Sequence, residues 1–275
     1  MDQMGKIFEI LLPLFYSITV AAYAVAFFRQ QQQAKKFKTV LLFVTIVTHF
    51  FYLLLRTIDL QHPPIISVFE IMSLLAFSVA ASYRVIEMQT KIKNTGLFVL
   101  AFALVFQVIS SLFIEDVYVV DKVLRNNLLG IHVLSALLGY SAFTIAAVYG
   151  LMYLLQYRAL KSNSFGIIFD NLPSLERLEY LTKKGILIGF IPLSVAIVIG
   201  YVWLPSAIDN FSYLDPKLIG TIIIWSMYAV EIYLIQSGKR RGRQVMHLAI
   251  SGFLFTVFSL TIINMYLTSF HFFIK

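Results

Sequence analysis

The 275-residue chain contains no cysteine. Disulfides, thiolate metal sites, covalent CxxCH haem attachment and cysteine nucleophiles are therefore excluded. Charge is scarce too, with Asp, Glu, Lys and Arg at 13% of positions where soluble domains carry about a quarter. No polar stretch is long enough to form a soluble domain, and no internal repeat is evident. There is no Ser-His-Asp pattern, phosphate-binding glycine loop or metal-hydrolase spacing, so the chain is not expected to be an enzyme.

What is present is apolar. Hydrophobic residues fill 59% of positions and mean hydropathy is +0.82. They fall into eight blocks: 7–28, 39–55, 65–83, 95–114, 128–157, 185–204, 218–235 and 245–273. A hydrocarbon layer of about 30 Å is crossed by about 20 helical residues. In lipid only a helix or a closed barrel satisfies its own backbone. The expected fold is thus all-α, a polytopic integral membrane bundle of about eight transmembrane helices. The whole chain, 1–275, is read as a single transmembrane domain with the lipid bilayer as its solvent. The fifth and eighth blocks exceed the need of a bilayer and are expected to tilt or project. Ala22-Tyr23-Ala24 resembles a signal-peptide cleavage site, but the basic cluster follows the first block. A retained first helix is expected.

Lys and Arg set the orientation. The loops after the first, third, fifth and seventh blocks hold 16 of the 22 basic residues. Those loops are assigned to the cytoplasm and both termini to the outside. Topology and anionic lipid account for the net charge of +8, so no nucleic-acid partner is expected. Two connections are long, a cytoplasmic loop at 158–184 and an external loop at 205–217. In the first, Asn171 is placed to cap a short amphipathic helix with Pro173 in its first turn. That helix either lies on the membrane or docks a cytoplasmic partner.

Five histidines carry the remaining chemistry: His49, His62, His132, His247 and His271. Imidazole is the usual axial ligand of haem iron, and two can hold one iron. His132 begins the fifth block and His271 ends the eighth, so they share a depth at the outer side. His247 and His271 lie 24 residues apart on one block, about 36 Å, and cannot serve the same iron. His132 starts a face of small residues (Ser135, Gly139, Ala142, Ala146, Gly150), which lets helices approach closely and leaves room for a flat macrocycle. Phenylalanines 270, 272 and 273 surround His271. The pair is therefore expected to be the axial ligands of a haem b. His49 and His247 form a second, inner pair to be considered. His62, before Pro63-Pro64, is expected to be an exposed turn residue. Glu70 is expected as a water-reaching carboxylate near the outer boundary, and Glu231 as a hydrogen-bonded group inside the bundle. Asp215 is expected to fix the external loop or to bond a group at the haem site.

Several stretches resemble the cytochrome c assembly (CcsA/CcmC) superfamily. Gly130–Phe143 is similar to its histidine-bearing helix, and Pro64–Leu75 to its outer segment with an acidic residue. Tyr213-Leu-Asp-Pro-Lys217, followed by Trp225, resembles a weakened form of its tryptophan-rich WWD haem-handling loop. Ser269-Phe-His-Phe272 is similar to its C-terminal external histidine. Within the superfamily, Gln156–Lys161 and Leu172–Glu176 resemble segments of the HemX-type branch. The loop departs from the cytochrome-assembly pattern by holding Tyr213 and Leu214 in place of tryptophans. An inner histidine near Glu231 is also missing.

The resemblance implies a haem-binding protein of the bacterial plasma membrane, accessory to haem biosynthesis or a regulator of it. Its haem-site residues would be His132, His271, Asp215, Tyr213 and Trp203. The HemX-type branch implies an effect that lowers glutamyl-tRNA reductase abundance, with the 158–184 loop as the contact. A haem transporter or chaperone for cytochrome c assembly is the alternative, and a non-haem permease or structural membrane protein the third reading.

Overall fold

A computed structural model of the chain describes residues 3–90, 92–116, 127–207 and 212–263. Among them every regular element is helical: α1 Gln3–Phe28, α2 Gln32–Leu60, α3 Val68–Thr90, α4 Gly96–Phe113, α5 Asn127–Lys161, α6 Ile167–Asn171, α7 Leu175–Ala207, α8 Pro216–Gln236 and α9 Arg243–Phe258. A π-helical turn, Ser259–Ile263, continues α9. All but α6 are long and apolar enough to cross a bilayer. The chain is a multi-pass membrane protein. The helices alternate in direction, so α1, α3, α5 and α8 start, and α2, α4 and α7 end, at one side. That side is termed the His132 end, and the other the Asn171 end.

The 158–184 segment is not the loop expected from sequence. α5 runs on to Lys161, and α7 begins at Leu175, well before its apolar block. Asn171 closes α6 rather than capping a helix. Its amide donates to the Phe27 carbonyl at 2.8 Å and its Oδ1 accepts from Gln30 at 2.6 Å. Asn94 also donates to its backbone carbonyl. The α5–α7 connection is thereby fastened to α1. The 205–217 loop is shorter than expected as well, since Pro205 lies within α7 and Pro216 opens α8.

Helices α1–α4 are joined by polar layers, of which the middle one draws on all four helices. At the His132 end Arg56, 1% exposed, donates to Glu9, Glu70 and Asp116 at 3.0–3.2 Å, and to the Glu115 carbonyl at 2.7 Å. Glu70 is fully buried, which overturns the water-reaching carboxylate. Its Oε2 accepts from the Ile66 and Ser67 backbone N–H groups, while Ser67 Oγ accepts from the Glu70 N–H. This capping box satisfies donors that the first turn of α3 would otherwise leave open. In the middle layer Tyr16 donates to His49 Nδ1 and His49 Nε2 to Ser73 Oγ, both at 3.0 Å. Ser73 donates to Gln107, which donates to Ser111. Near the Asn171 end Tyr23 and Thr39 donate to Glu87, and Lys38 Nζ donates to the Lys93 carbonyl.

Helices α5 and α7 form the most extensive pairing, and small residues make it. A Cβ at Gly189 would stand 2.7 Å from the Phe143 ring and 2.9 Å from the Gly139 carbonyl oxygen. One at Gly139 would stand 3.0 Å from the Gly189 carbonyl oxygen. Gly150 meets α9 at Met246. The small face of α5 is therefore spent on helix packing. The room expected there for a macrocycle is occupied by α7.

Candidate ligand site at the His132 end

The first turns of α5 lie beyond the tight α5–α7 crossing at Gly139 and Gly189. His132, two turns before Gly139, faces α7 across the gap that Gly200 leaves. A Cβ at Gly200 would sit 3.0 Å from His132 Cε1 and 3.3 Å from Nδ1, so only glycine lets the ring in unhindered. His132 Nδ1 lies 2.8 Å from the Ala196 carbonyl oxygen. A carbonyl only accepts, so Nδ1 carries the proton and the lone pair resides on Nε2. This is the tautomer that a metal-binding imidazole requires, with the second nitrogen held by a carbonyl.

The ring lines a cavity between α5, α7 and α8, together with Tyr140, Ala196, Tyr201, Lys217 and Thr221. The cavity has a volume of about 130 Å³, and about 950 Å³ counting its open mouth. Its wall is otherwise almost wholly apolar. α8 is set by Asp215, 2% exposed, whose Oδ1 accepts from the Lys217 N–H at 2.8 Å. Pro216 in the first turn gives up no needed donor. Asp215 thus fixes the loop by capping a helix, and so places Lys217 at the cavity.

The other expected residues divide. Tyr213 is 53% exposed and stacks on the cavity residue Tyr201, ring centres 5.7 Å apart. Trp203 is half-buried in α7 and does not line the cavity. Trp225 donates to Ser194 and stacks on Phe190, away from the loop. His271 lies outside the described residues, and so does most of the 205–217 loop before Ser212. His49 is fully buried with both ring nitrogens engaged, whereas His247 is exposed on α9. An inner pair would need a free lone pair at His49, and its hydrogen bonds leave none. His62 is 2% exposed, bonded to the Pro63 carbonyl oxygen, which corrects the exposed turn. Glu231 is 3% exposed and its Oε1 has no hydrogen-bond partner, against the bonded group expected.

The cytochrome C assembly protein family matches residues 4–271, almost the full length. The chain belongs to that family. Among curated family relatives, Protein HemX of Bacillus subtilis is 26% identical over 120 residues, 44% of each chain. Protein HemX of Brevibacillus brevis is 28% identical over 127 residues, 46% of this chain and 47% of the relative. The chain spans about half the length of these curated relatives. Cytochrome c biogenesis protein CcsA of a Synechococcus strain is 25% identical over 225 residues, covering 73% of this chain and 72% of the relative. The match to both groups makes this a HemX-type member of the cytochrome c assembly superfamily.

For this family member, an iron porphyrin is the group to test against the site. The donor set fits: an oriented imidazole with Nε2 unprotonated, an apolar wall and one cation. The enclosed volume takes an edge of a macrocycle, and the remaining area must come from the open mouth. Sequence reasoning missed Lys217, Tyr140 and Gly200 as parts of this site. Gly200 had a signal, one small residue at the depth of a histidine on the next spanning helix.

Proposed function

We propose that this chain is a haem-binding, non-catalytic protein of the bacterial plasma membrane that adjusts haem biosynthesis. His132 is one axial ligand of a haem b, and His271 the other. Haem supplies a redox-active iron and a large apolar surface; the protein supplies the oriented nitrogen, the apolar wall and the cation. The observation that carries this reading is the His132 Nδ1–H bond to Ala196, which reserves Nε2 in a cavity-lining ring. The likeness to proteins named HemX supports a role in haem supply, and from it comes the further proposal that glutamyl-tRNA reductase abundance falls when the chain is present. A haem carrier for cytochrome c assembly is the second reading, favoured by the likeness to CcsA over some three-quarters of the chain.

The purified protein is expected to show a low-spin, six-coordinate haem spectrum. His132→Ala and His271→Ala each should lose haem, or turn it high-spin and open to added imidazole, whereas His62→Ala should leave the spectrum unchanged. Full haem content and spin state in both variants would sink the assignment. For the reductase, a contact on the 158–184 segment has to use exposed residues such as Phe165 and Tyr180, because Leu178 is fully buried. Replacing Phe165 and Tyr180 together with Ser should raise reductase abundance in cells at unchanged haem content. Unaltered reductase levels would remove this segment as the contact.

A further inference from the structure

A second opening lies on the lipid-facing side of the bundle, between α8 and α9. This groove holds about 400 Å³, within the range of small-molecule sites. Ile222, Ile223 and Val230 of α8 and Leu248 of α9 make its wall apolar. Gly252 brings α9 against the Tyr228 ring beside it, where a Cβ would stand 3.0 Å from Tyr228 Cζ. The groove shares no lining residue with the His132 cavity. One carboxyl lines it, that of Glu231. Glu231 lies 14 residues beyond Lys217, about 21 Å further along α8.

The other buried carboxyls described, Glu70, Glu87 and Asp215, accept hydrogen bonds from the protein. Glu231 is 3% exposed, its Oε1 has no hydrogen-bond partner, and among the described residues no cation pairs with it. A buried oxygen left unbonded is costly, so the groove favours an occupant that bonds it. Such an occupant arrives through hydrocarbon, which a charged molecule crosses only at high cost. It must also suit a carboxyl that only accepts when ionised and also donates when neutral. A carbonyl serves the second state alone. A hydroxyl serves both.

We infer that the α8–α9 groove binds a lipid-soluble alcohol or phenol, its apolar body along the wall and its hydroxyl on Glu231 Oε1. Nothing in this site involves His132 or its ligand. The protein thereby gains a second binding site, one that is filled from the bilayer itself.

The test uses the full chain in lipid nanodiscs of fixed composition. Dicyclohexylcarbodiimide, an apolar reagent, adds whole to a neutral carboxyl. The acid proton passes to one nitrogen, the carboxyl oxygen bonds the central carbon, and acyl transfer to nitrogen fixes the label. Label on the Glu231 peptide is followed by mass spectrometry over a series of pH values, so that ionisation cannot hide the site. Wild type should be labelled there, and meta-pentadecylphenol should slow the labelling saturably. Pentadecylbenzene, which lacks only the hydroxyl, should need about three- to tenfold more for half-protection. Val230→Trp, which fills the groove from its exposed rim, should slow labelling with no phenol present, whereas Val230→Ala should not. Absence of label on Glu231 at every pH overturns the inference, and so does labelling that the phenol leaves unchanged. Equal protection by phenol and pentadecylbenzene removes the hydroxyl bond and overturns it too. Undiminished labelling of Val230→Trp removes the groove as the site. None of these outcomes touches the haem reading.

Discussion

The four helices before the His132 cavity and those that build it are held together by different physics. In α1–α4 an apolar core is cross-linked by buried polar contacts: an arginine among carboxylates, a histidine between a phenol and a serine, a glutamate bonded by a tyrosine. In α5, α7 and α9 glycines bring the helices close enough for backbone contact within an apolar core. Water supplies no hydrophobic drive between helices inside a bilayer, so both solutions rely on close packing or on satisfied polar groups. The difference lies in what each leaves over. Polar layers specify partners one atom at a time and fill their space. The small-residue crossing is tight at Gly139 and Gly189, and the cavity lies beyond it, where Gly200 admits the His132 ring.

The largest effect should come from the polar half. Arg56→Met leaves the Glu70 carboxylate buried without its cation, a loss of about 3–5 kcal/mol. Unfolding of the variant in increasing denaturing detergent should show it, and Arg56→Met combined with Glu70→Gln should recover part. An unchanged midpoint for the single variant would mean that this cluster is not what holds α1–α4 together. Gly189→Val tests the other half. Its side chain must displace the Phe143 ring and the Gly139 carbonyl, an overpacking cost of about 1–3 kcal/mol. Because it pushes α5 from α7, it should also loosen the His132–Ala196 bond and reduce haem retention, measured as the haem-to-protein ratio. Loss of stability with haem retained would show that crossing and cavity are independent. The smallest effect is expected from Ser73→Ala, which breaks one link of the middle layer at about 0.6 kcal/mol and should not touch the haem spectrum. A spectral change there would tie His49 to the ligand and collapse the contrast between the halves.

The eight spans were legible because each is a long apolar run, and a bilayer permits one open structure for such a run. Helix ends were less so. The amphipathic stretch 175–184 reads as polar, yet it continues α7 because Leu178 and Leu181 bury themselves against the bundle. His132 was legible from its place before a small-residue face. The use of that face was not, because a glycine stripe serves a neighbouring helix or a ligand equally well until the neighbour is placed. The Arg56–Glu70 pair stands 14 residues apart, across a helix break, and no periodicity connects it. Two signals did point there. Ser67-Val-Phe-Glu70 has the spacing of a capping box, and Arg56 directly follows one apolar block while Glu70 lies near the start of the next. Lys217 was hidden for another reason: a lysine after a proline at a helix start looks like any interfacial cation until α5 and α7 are seen around it.

The fastening of Asn171 to the Phe27 carbonyl bears on the order in which the molecule is built. A chain made from its N-terminus completes α1 through α4 long before Asn171 is synthesised, and domains fold in that order as they emerge. The arginine and histidine layers need nothing from later residues among those described, so they can close first. The finished first half then presents the end of α1 as a fixed landing point. The α5–α7 hairpin arrives afterwards, and Asn171 sets where its connection rests. On this view the ligand cavity closes late: its α3 side, Ile65 and Ile71, belongs to the first half, and α5, α7 and α8 complete it against that side.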